Sequence, residues 1–317
     1  TLKLCIHQRF FLAKVQLSHT SRYIFTTMPT IVSFINLKGG VGKTTLTVNL
    51  AATLAHHHQK RVLVIDLDPQ TNATVSLISQ DRWKEINDTE KQTLYHLFND
   101  LLYDQQDFDL NKAIQKDVAE VKGLDLLPSS LKLVEIQDSI MDISHKGMVS
   151  PFDVIRSQIS RIEDDYDFIF IDCPPNLGVI TINGILISDF YLIPTTPDIL
   201  SKIGISLITN RINQTKNKRS DCKIELAGIV FTKVDNRTNL HASTKNELRH
   251  PSSPFHRFIY QSELPTRTSI AEAPADYRPH ITSPSARMKR DWRETQGHFQ
   301  QIVEELLQVI QPKVLNP

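Results

Sequence analysis

The sequence has few cysteines and no long apolar run. Three cysteines occur among 317 residues, Cys5, Cys173 and Cys222, and they lie far apart. Zinc sites and disulfide frameworks need closely spaced or numerous cysteines, so this pattern argues against both and indicates a reducing compartment such as the cytoplasm. Because no run of about 18 apolar residues is present, we expect no membrane-spanning helix and no membrane partner.

The chain also has no strong overall charge. Its formal net charge is +1 at pH 7, so any binding to nucleic acid must come from a local basic surface. The segment Lys202–Tyr260 has eleven basic and four acidic residues, whereas Asp81–Asp125 has eleven acidic and six basic residues. The first segment is a candidate for DNA contacts, and the second is typical of a helical surface region.

Residues 1–27 contain four basic residues and no acidic one. Such a segment can be a transit peptide, or it can be sequence upstream of a true start at Met28. We favour the second interpretation because Met28 leads directly into the first apolar strand. Residues 1–27 are therefore predicted to be an extension outside the fold, and residues 28–317 to form a single domain.

Short apolar runs alternate with helical patterns along the rest of the chain. A helix is predicted from Thr44 to Gln59, and a final helix carries an apolar stripe from Trp292 to Ile310, with Pro312 expected to end it. The predicted strands are Ile31–Asn36, Val62–Ile65, Leu124–Leu127, Phe168–Asp172, Phe190–Ile193, Ala227–Thr232 and Phe258–Tyr260. This alternation predicts an α/β fold with a doubly wound, mostly parallel sheet and helices on both faces.

A glycine-rich loop follows the first predicted strand and precedes the first predicted helix. Glycines let backbone N–H groups turn inward as an anion-binding nest at a helix N-terminus. A lysine next to such a nest adds a charge for the β- and γ-phosphates, and a following threonine hydroxyl suits Mg²⁺. The predicted ATP-binding residues are Lys38, Gly39, Gly40, Val41, Gly42, Lys43, Thr44 and Thr45. The loop departs from the general phosphate-loop motif, because Leu37 stands where that motif has its first glycine.

Acidic residues stand at the carboxyl ends of two predicted strands. Asp68 is placed at the end of the second strand, and Asp172 ends the strand Phe168–Asp172. Ligands of parallel sheets bind outside these strand ends, so both carboxylates are expected to face the phosphate loop. One of them can hold Mg²⁺, and the other can position the attacking water.

The sequence resembles the ParA/Soj branch of the deviant Walker ATPases, the bacterial DNA-partition ATPases. The resemblance rests on Lys38–Thr45, Asp66–Thr74 and Asp172–Pro175, and extends over about residues 28–310. It implies an ATP hydrolase that dimerises with ATP, in which Lys38 of each subunit reaches the phosphates bound by the other. Lys43 would act within its own subunit, Thr44 and Asp172 would hold Mg²⁺, and Asp68 would orient the hydrolytic water. Asp66 would support the magnesium shell or the loop.

The resemblance also implies partners. The ATP-bound homodimer of this family binds DNA without sequence preference, and Arg237 falls on a DNA-contact position, with Arg211 a weaker match. A ParB-like or other adaptor protein would stimulate hydrolysis, and the protein would be cytoplasmic and nucleoid-associated. The function implied is segregation of plasmid or chromosomal DNA. Positioning of a protein cargo is an alternative.

Two further alternatives are less favoured by the sequence. A MinD-like membrane-cycling division regulator needs a basic amphipathic tail, but Gln300–Pro317 has Lys313 as its only base. A reductase like the nitrogenase iron protein needs cysteines that can hold an iron–sulfur cluster, and Cys222 alone would be insufficient.

Overall fold

The computed structural model describes residues 10–13, 24–146, 149–272, 279 and 289–315. Its strands are β1 (Phe10–Ala13), β2 (Ile24–Thr27), β3 (Thr30–Phe34), β4 (Val62–Asp66), β5 (Leu124–Leu127), β6 (Phe168–Asp172), β7 (Phe190–Thr195) and β8 (Glu225–Phe231). Strands β1 and β2 pair antiparallel in a separate two-stranded sheet. Within the predicted extension the structure describes these two strands alone, and neither of them joins the larger sheet.

Helices surround the larger sheet. The α-helices are α1 (Lys43–His58), α2 (Asn72–Leu77), α3 (Gln80–Lys84), α4 (Leu94–Tyr103), α5 (Leu110–Ala113), α6 (Leu133–Ile136), α7 (Val154–Ile159), α8 (Val179–Ile187), α9 (Ser201–Lys218), α10 (Asn239–Arg249), α11 (Thr268–Glu272) and α12 (Lys289–Leu315). A π-helix spans Glu85–Glu90, and 3₁₀ turns span Val118–Glu120, Ile140–Lys146, Glu163–Asp165 and His256–Phe258. Among the helices in the described ranges, none has the length and apolar content needed to cross a bilayer.

Strands β3 to β8 form one sheet in the order β5-β4-β6-β3-β7-β8, and every neighbouring pair is parallel. The predicted doubly wound α/β fold is therefore confirmed. Strand β3 lies inside the sheet between β6 and β7. Because all six strands run in one direction, the loops that follow β3, β4, β6 and β7 meet at a single edge.

Apolar residues of the sheet are buried on both faces. On one face Val32 and Phe34 pack in a core with residues of α1 and α12, such as Leu50 and Phe299. On the other face Ile31 joins a core that contains residues of α4, α7, α8 and α9. Burial on both faces explains why these strands appear in the sequence as nearly continuous apolar runs.

The last predicted strand and the predicted end of the last helix are wrong. The run Phe258–Tyr260 is not a strand, because Phe258 ends a 3₁₀ turn and only Ile259 forms an isolated bridge, with Ile229 of β8. Helix α12 does not end at Pro312 but continues to Leu315. A proline removes one backbone donor, and here it falls two residues after Ile310, a buried residue of the stripe that packs the helix.

Candidate nucleotide site

The phosphate loop connects the central strand β3 with helix α1. Gly40 and Gly42 have positive φ angles of 70° and 87°, in the left-handed region that residues with a Cβ rarely adopt. Helix α1 begins at Lys43, immediately after Gly42, so the free N–H groups of its first turn face the loop. The backbone therefore forms the anion-binding helix N-terminus that the sequence predicts.

Side chains from neighbouring elements hold this loop in place. The Asn36 amide donates to the carbonyl of Pro194 at 2.7 Å, and Asn36 Oδ1 accepts from the Lys38 N–H at 2.9 Å. The Thr232 hydroxyl donates to the carbonyl of Val41 at 2.6 Å. The loop is thus tied to β7 and to the end of β8. The sequence interpretation assigned no such role to Asn36 or Thr232, although a polar residue ending a buried run, such as Asn36, is a usable signal.

Lys43 is buried at the base of the loop. Its ammonium group donates to the carbonyl of Lys38 at 3.3 Å. Burial lowers the pKa of Lys43, although the nearby carboxylates of Asp172 and Asp68 act in the opposite direction. A phosphate group beside this ammonium would favour its charged form, so the position suits a polyphosphate.

Thr44 and Asp172 meet at the edge of the sheet. The Thr44 hydroxyl donates to Asp172 Oδ2 at 2.6 Å, and the Thr47 hydroxyl donates to Asp172 Oδ1 at 3.4 Å. Burial raises the pKa of Asp172 above its ordinary value. Carboxylate and hydroxyl oxygens are ligands that Mg²⁺ prefers, and a cation here would compensate the buried charge. The two residues therefore fit the magnesium role predicted for them.

Asp66 and Asp68 occupy different positions in one turn. Strand β4 ends at Asp66, so the sequence-based placement of Asp68 at the strand end is two residues too late. Asp66 is buried, and its oxygens accept from the N–H groups of Asp68 at 3.1 Å and Thr74 at 2.8 Å and from the Thr74 hydroxyl at 2.7 Å. Burial, together with the nearby Asp172, raises the pKa of Asp66. These contacts suit a residue that supports the turn, and its role near the metal stays a prediction.

Asp68 itself faces a cavity of about 400 Å³ next to the phosphate loop. Asp68 Oδ1 also accepts from the N–H of Gln70 at 2.9 Å, which orients the carboxylate. The cavity is lined by Gly39, Gly40, Gly42, Lys43, Thr44, Thr45, Val48, Asn49, Asp68, Gln70, Asn72, Val75, Ser76, Pro175, Lys233, Ile270 and Pro279. Six residues of the predicted loop and Asp68 thus line one cavity, whereas Lys38, Val41, Asp66 and Asp172 do not belong to its lining.

Lys38 is placed differently from Lys43. Its side chain is 54% exposed, and its ammonium group contacts Asp198 Oδ2 at 2.5 Å. Asp198 lies in the turn between β7 and α9. The two lysines of one loop therefore occupy separate environments, one buried below the phosphate nest and one at its rim.

The two predicted DNA-contact residues lie outside the cavity lining. Arg211 is an exposed residue of α9, and Arg237 is exposed in the turn that precedes α10. The guanidinium group of Arg237 contacts both carboxylate oxygens of Asp235, at 2.9 Å and 2.8 Å. Part of the charge of Arg237 is therefore balanced within its own turn.

A glycine nest at the head of a helix, joined to a buried lysine and to carboxylates at parallel strand ends, defines a P-loop ATPase. The family model described as an AAA domain matches residues 29–226. The sporulation initiation inhibitor protein Soj of Bacillus subtilis (strain 168) is 33% identical over 256 residues, which cover 80% of this chain and 91% of Soj. The chain belongs to the ParA/Soj family of ATPases, as its motifs predicted.

Solved structures share the fold. A chain described as a plasmid partition protein of Borrelia burgdorferi B31, bound to AMPPNP, superposes with a TM-score of 0.69 at 20% identity, covering 89% of this chain and all of that one. Cobyrinic acid a,c-diamide synthase from Mycobacterium smegmatis, with bound ADP and magnesium, has a TM-score of 0.62 at 24% identity, covering 79% and 91%. At these identities the likeness establishes the fold alone.

Proposed function

We propose that this ATPase is a partition protein in which Mg²⁺-ATP drives formation of a DNA-binding homodimer. A ParB-like partner would stimulate hydrolysis and return the subunits to the free state, so that plasmid or chromosomal DNA is segregated. The observation that carries the proposal is the separation of the two lysines. Lys43 is buried within its own phosphate loop, whereas Lys38 is exposed at the rim, where a second subunit could receive it.

Within one subunit, different residues are proposed to bind the phosphates, to hold Mg²⁺ and to position the attacking water. Lys43 and the backbone N–H groups of the loop bind the phosphates, and Thr44 and Asp172 are suited to hold Mg²⁺. Bound Mg²⁺ neutralises charge on the phosphate oxygens. Asp68 faces the cavity and is oriented by the N–H of Gln70, which supports its role in positioning the attacking water.

Lys38 supplies the contribution from the second subunit. A cation placed across a dimer stabilises negative charge that develops on the transferred phosphoryl group, as an arginine finger does. Exposed apolar side chains next to the Lys38–Asp198 contact support a protein interface at this rim. They lie just before α9 and in its first two turns and are Ile199, Leu200, Ile203 and Leu207, with exposed fractions of 73%, 62%, 57% and 54%.

DNA binding is proposed to use the exposed basic residues beyond the rim. Arg211 and Arg237 remain the proposed contacts, because both are exposed arginines in the basic segment. Several other cations of that segment are engaged in ion pairs: Lys202 with Glu247, Arg219 with Asp153 and Asp221, and Lys245 with Glu263. The count of eleven basic residues therefore overstates the charge available to phosphates.

The proposed partners and location follow from this alternation between an ATP-bound dimer on DNA and free subunits. A protein that holds non-specific DNA while bound to ATP would be cytoplasmic and associated with the nucleoid. An adaptor that binds the cargo would trigger release, and the family relationship to Soj supports a ParB-like adaptor in that role.

The test compares alanine variants of the two lysines. Lys43→Ala should abolish ATP binding measured by calorimetry, because the phosphates lose their buried cation. Lys38→Ala should retain ATP binding but fail to form the ATP-dependent dimer in sedimentation experiments. Lys60→Ala, at an exposed position just after α1, is the matched control and should change neither property. Normal dimerisation of Lys38→Ala would contradict the proposal.

A further inference from the structure

The contact between Lys38 and Asp198 joins two loops at the rim of the nucleotide site. Lys38 belongs to the loop after β3, and Asp198 to the turn after β7, the neighbouring strand in the sheet. Their side chains are 54% and 24% exposed, so the ion pair is accessible from the solvent side. An ammonium group 2.5 Å from a carboxylate of its own chain is not free to reach a phosphate in another subunit.

Asp198 is held as a fixed acceptor, whereas the lysine side chain is long and exposed. Asp198 Oδ2 accepts from the Thr196 hydroxyl at 2.8 Å, and Asp198 Oδ1 accepts from the Ser201 hydroxyl and the Leu200 N–H, both at 3.1 Å. Partial burial acts to raise the pKa of Asp198, but the hydrogen bonds from Lys38 and Thr196 outweigh it and lower the pKa below its ordinary value. The carboxylate is therefore ionised and oriented before any nucleotide arrives.

We propose that Asp198 is a positioning residue that holds Lys38 within its own subunit and opposes dimerisation until ATP is bound. This inference rests on the proposed function. The triphosphate of the facing subunit carries more negative charge than a single carboxylate, so it can draw the ammonium group away from Asp198. ADP lacks the γ-phosphate and therefore carries less negative charge to attract the ammonium group. The competition between these anions makes formation of the dimer depend on the triphosphate.

The expected size of the effect follows from the exposure of the pair. A solvent-exposed ion pair changes an equilibrium by a factor of about 1.5 to 5. Two such pairs are released when a symmetric dimer forms. Removing the carboxylate should therefore tighten the dimer by about 2- to 25-fold.

The experiment measures the dimer dissociation constant by sedimentation with saturating Mg²⁺ and AMPPNP, which prevents turnover. Asp198→Asn keeps the size of the side chain and removes its charge, and it should tighten the dimer by the stated factor. Asp107→Asn removes the same charge from the exposed Lys91–Asp107 pair, which lies outside α9 and outside the cavity lining, and it is the matched control, expected to leave the constant unchanged. Asp198→Glu keeps the charge and should stay near the wild-type value.

The possible outcomes separate the two proposals. If wild-type protein remains monomeric with AMPPNP, the proposed function fails. If wild type dimerises but Asp198→Asn binds its partner equally or more weakly, or if Asp198→Glu tightens the dimer as much, the role of Asp198 is wrong. Should Asp198→Asn fail to fold, as judged by thermal melting, Asp198→Ser decides instead. That variant also removes the carboxylate and should tighten the dimer in the same direction, and an unchanged constant would overturn the proposal.

Discussion

Two lysines five positions apart in one loop have opposite environments. Lys43 is buried and contacts the backbone of its own loop, whereas Lys38 is exposed and contacts a carboxylate of another turn. Asp68 faces the cavity, but Asp66, two residues earlier, is buried and accepts hydrogen bonds from Thr74 of α2. At this scale, distinct roles for neighbouring residues follow from which side of a turn each side chain occupies.

Removal of the Asp68 carboxylate should separate binding from hydrolysis. Asp68→Ala is expected to bind Mg²⁺-ATP while its turnover falls by about 100-fold or more, because positioning a reacting group by a side chain contributes on that order. Phosphate release measures the turnover, and calorimetry measures the binding. Asp81→Ala changes an exposed acid outside the cavity lining and should retain normal hydrolysis. Normal turnover in Asp68→Ala would assign the role to another residue.

The phosphate-binding residues could be predicted from the sequence because they lie in one continuous loop. Glycine at positions of positive φ and a lysine before a helix are local signals that need no knowledge of the fold. The contacts of Lys38 with Asp198 and of Thr232 with Val41 could not be predicted in this way, because 160 and 191 positions separate the partners along the chain. Such pairs depend on the order of strands in the sheet, which the sequence pattern does not determine.

Helix α4 illustrates how a single element is stabilised. The Thr93 N–H donates to Nδ1 of His96 at 3.3 Å, and the Thr93 side chain accepts from the His96 N–H, so the two residues form a capping box at the helix start. Burial, with a smaller contribution from Lys132, lowers the pKa of His96 to about 4. The acid-rich segment was predicted to be a helical surface region, and the structure adds that Leu94 and Leu97 of this helix enter the core.

The capping histidine should make stability depend on pH. The folded state keeps His96 neutral down to about pH 4, whereas the unfolded chain takes up the proton near pH 6.5, so stability is lost as the pH falls between these values. At pH 5 the loss should be about 2 kcal/mol relative to pH 7. His96→Gln can keep the capping box without titrating, so urea unfolding at both pH values should show a smaller loss in this variant. Equal losses in both proteins would contradict the assignment.

At the scale of the whole molecule, the fold gathers the proposed ATP-binding residues at one edge of the sheet. The loops after β3, β4 and β7 carry the phosphate nest, Asp68 and Asp198 respectively, and Asp172 is the last residue of β6. Alternation of strands and helices was enough to predict this arrangement in outline. It misplaced the run Phe258–Tyr260, because a short apolar run can cover the core without entering the sheet.

The proposed DNA binding belongs to the assembled dimer and should depend on salt. Arg211→Ala should weaken binding to random-sequence DNA and reduce the slope of log affinity against log salt by about 1 to 2, since each dimer loses two cations. Asp235→Asn should have the opposite effect, because it releases the guanidinium group of Arg237 from its ion pair. Fluorescence anisotropy of labelled DNA with AMPPNP measures both. Unchanged slopes in both variants would place the DNA surface elsewhere.

The most direct test is the mass of the wild-type protein in each nucleotide state. Sedimentation at a fixed protein concentration should give the mass of one chain without nucleotide and with Mg²⁺-ADP, and twice that mass with Mg²⁺-AMPPNP. A switch of this kind is what the exposed Lys38 and the buried Lys43 of one loop are proposed to provide. The same mass in all three conditions would contradict it.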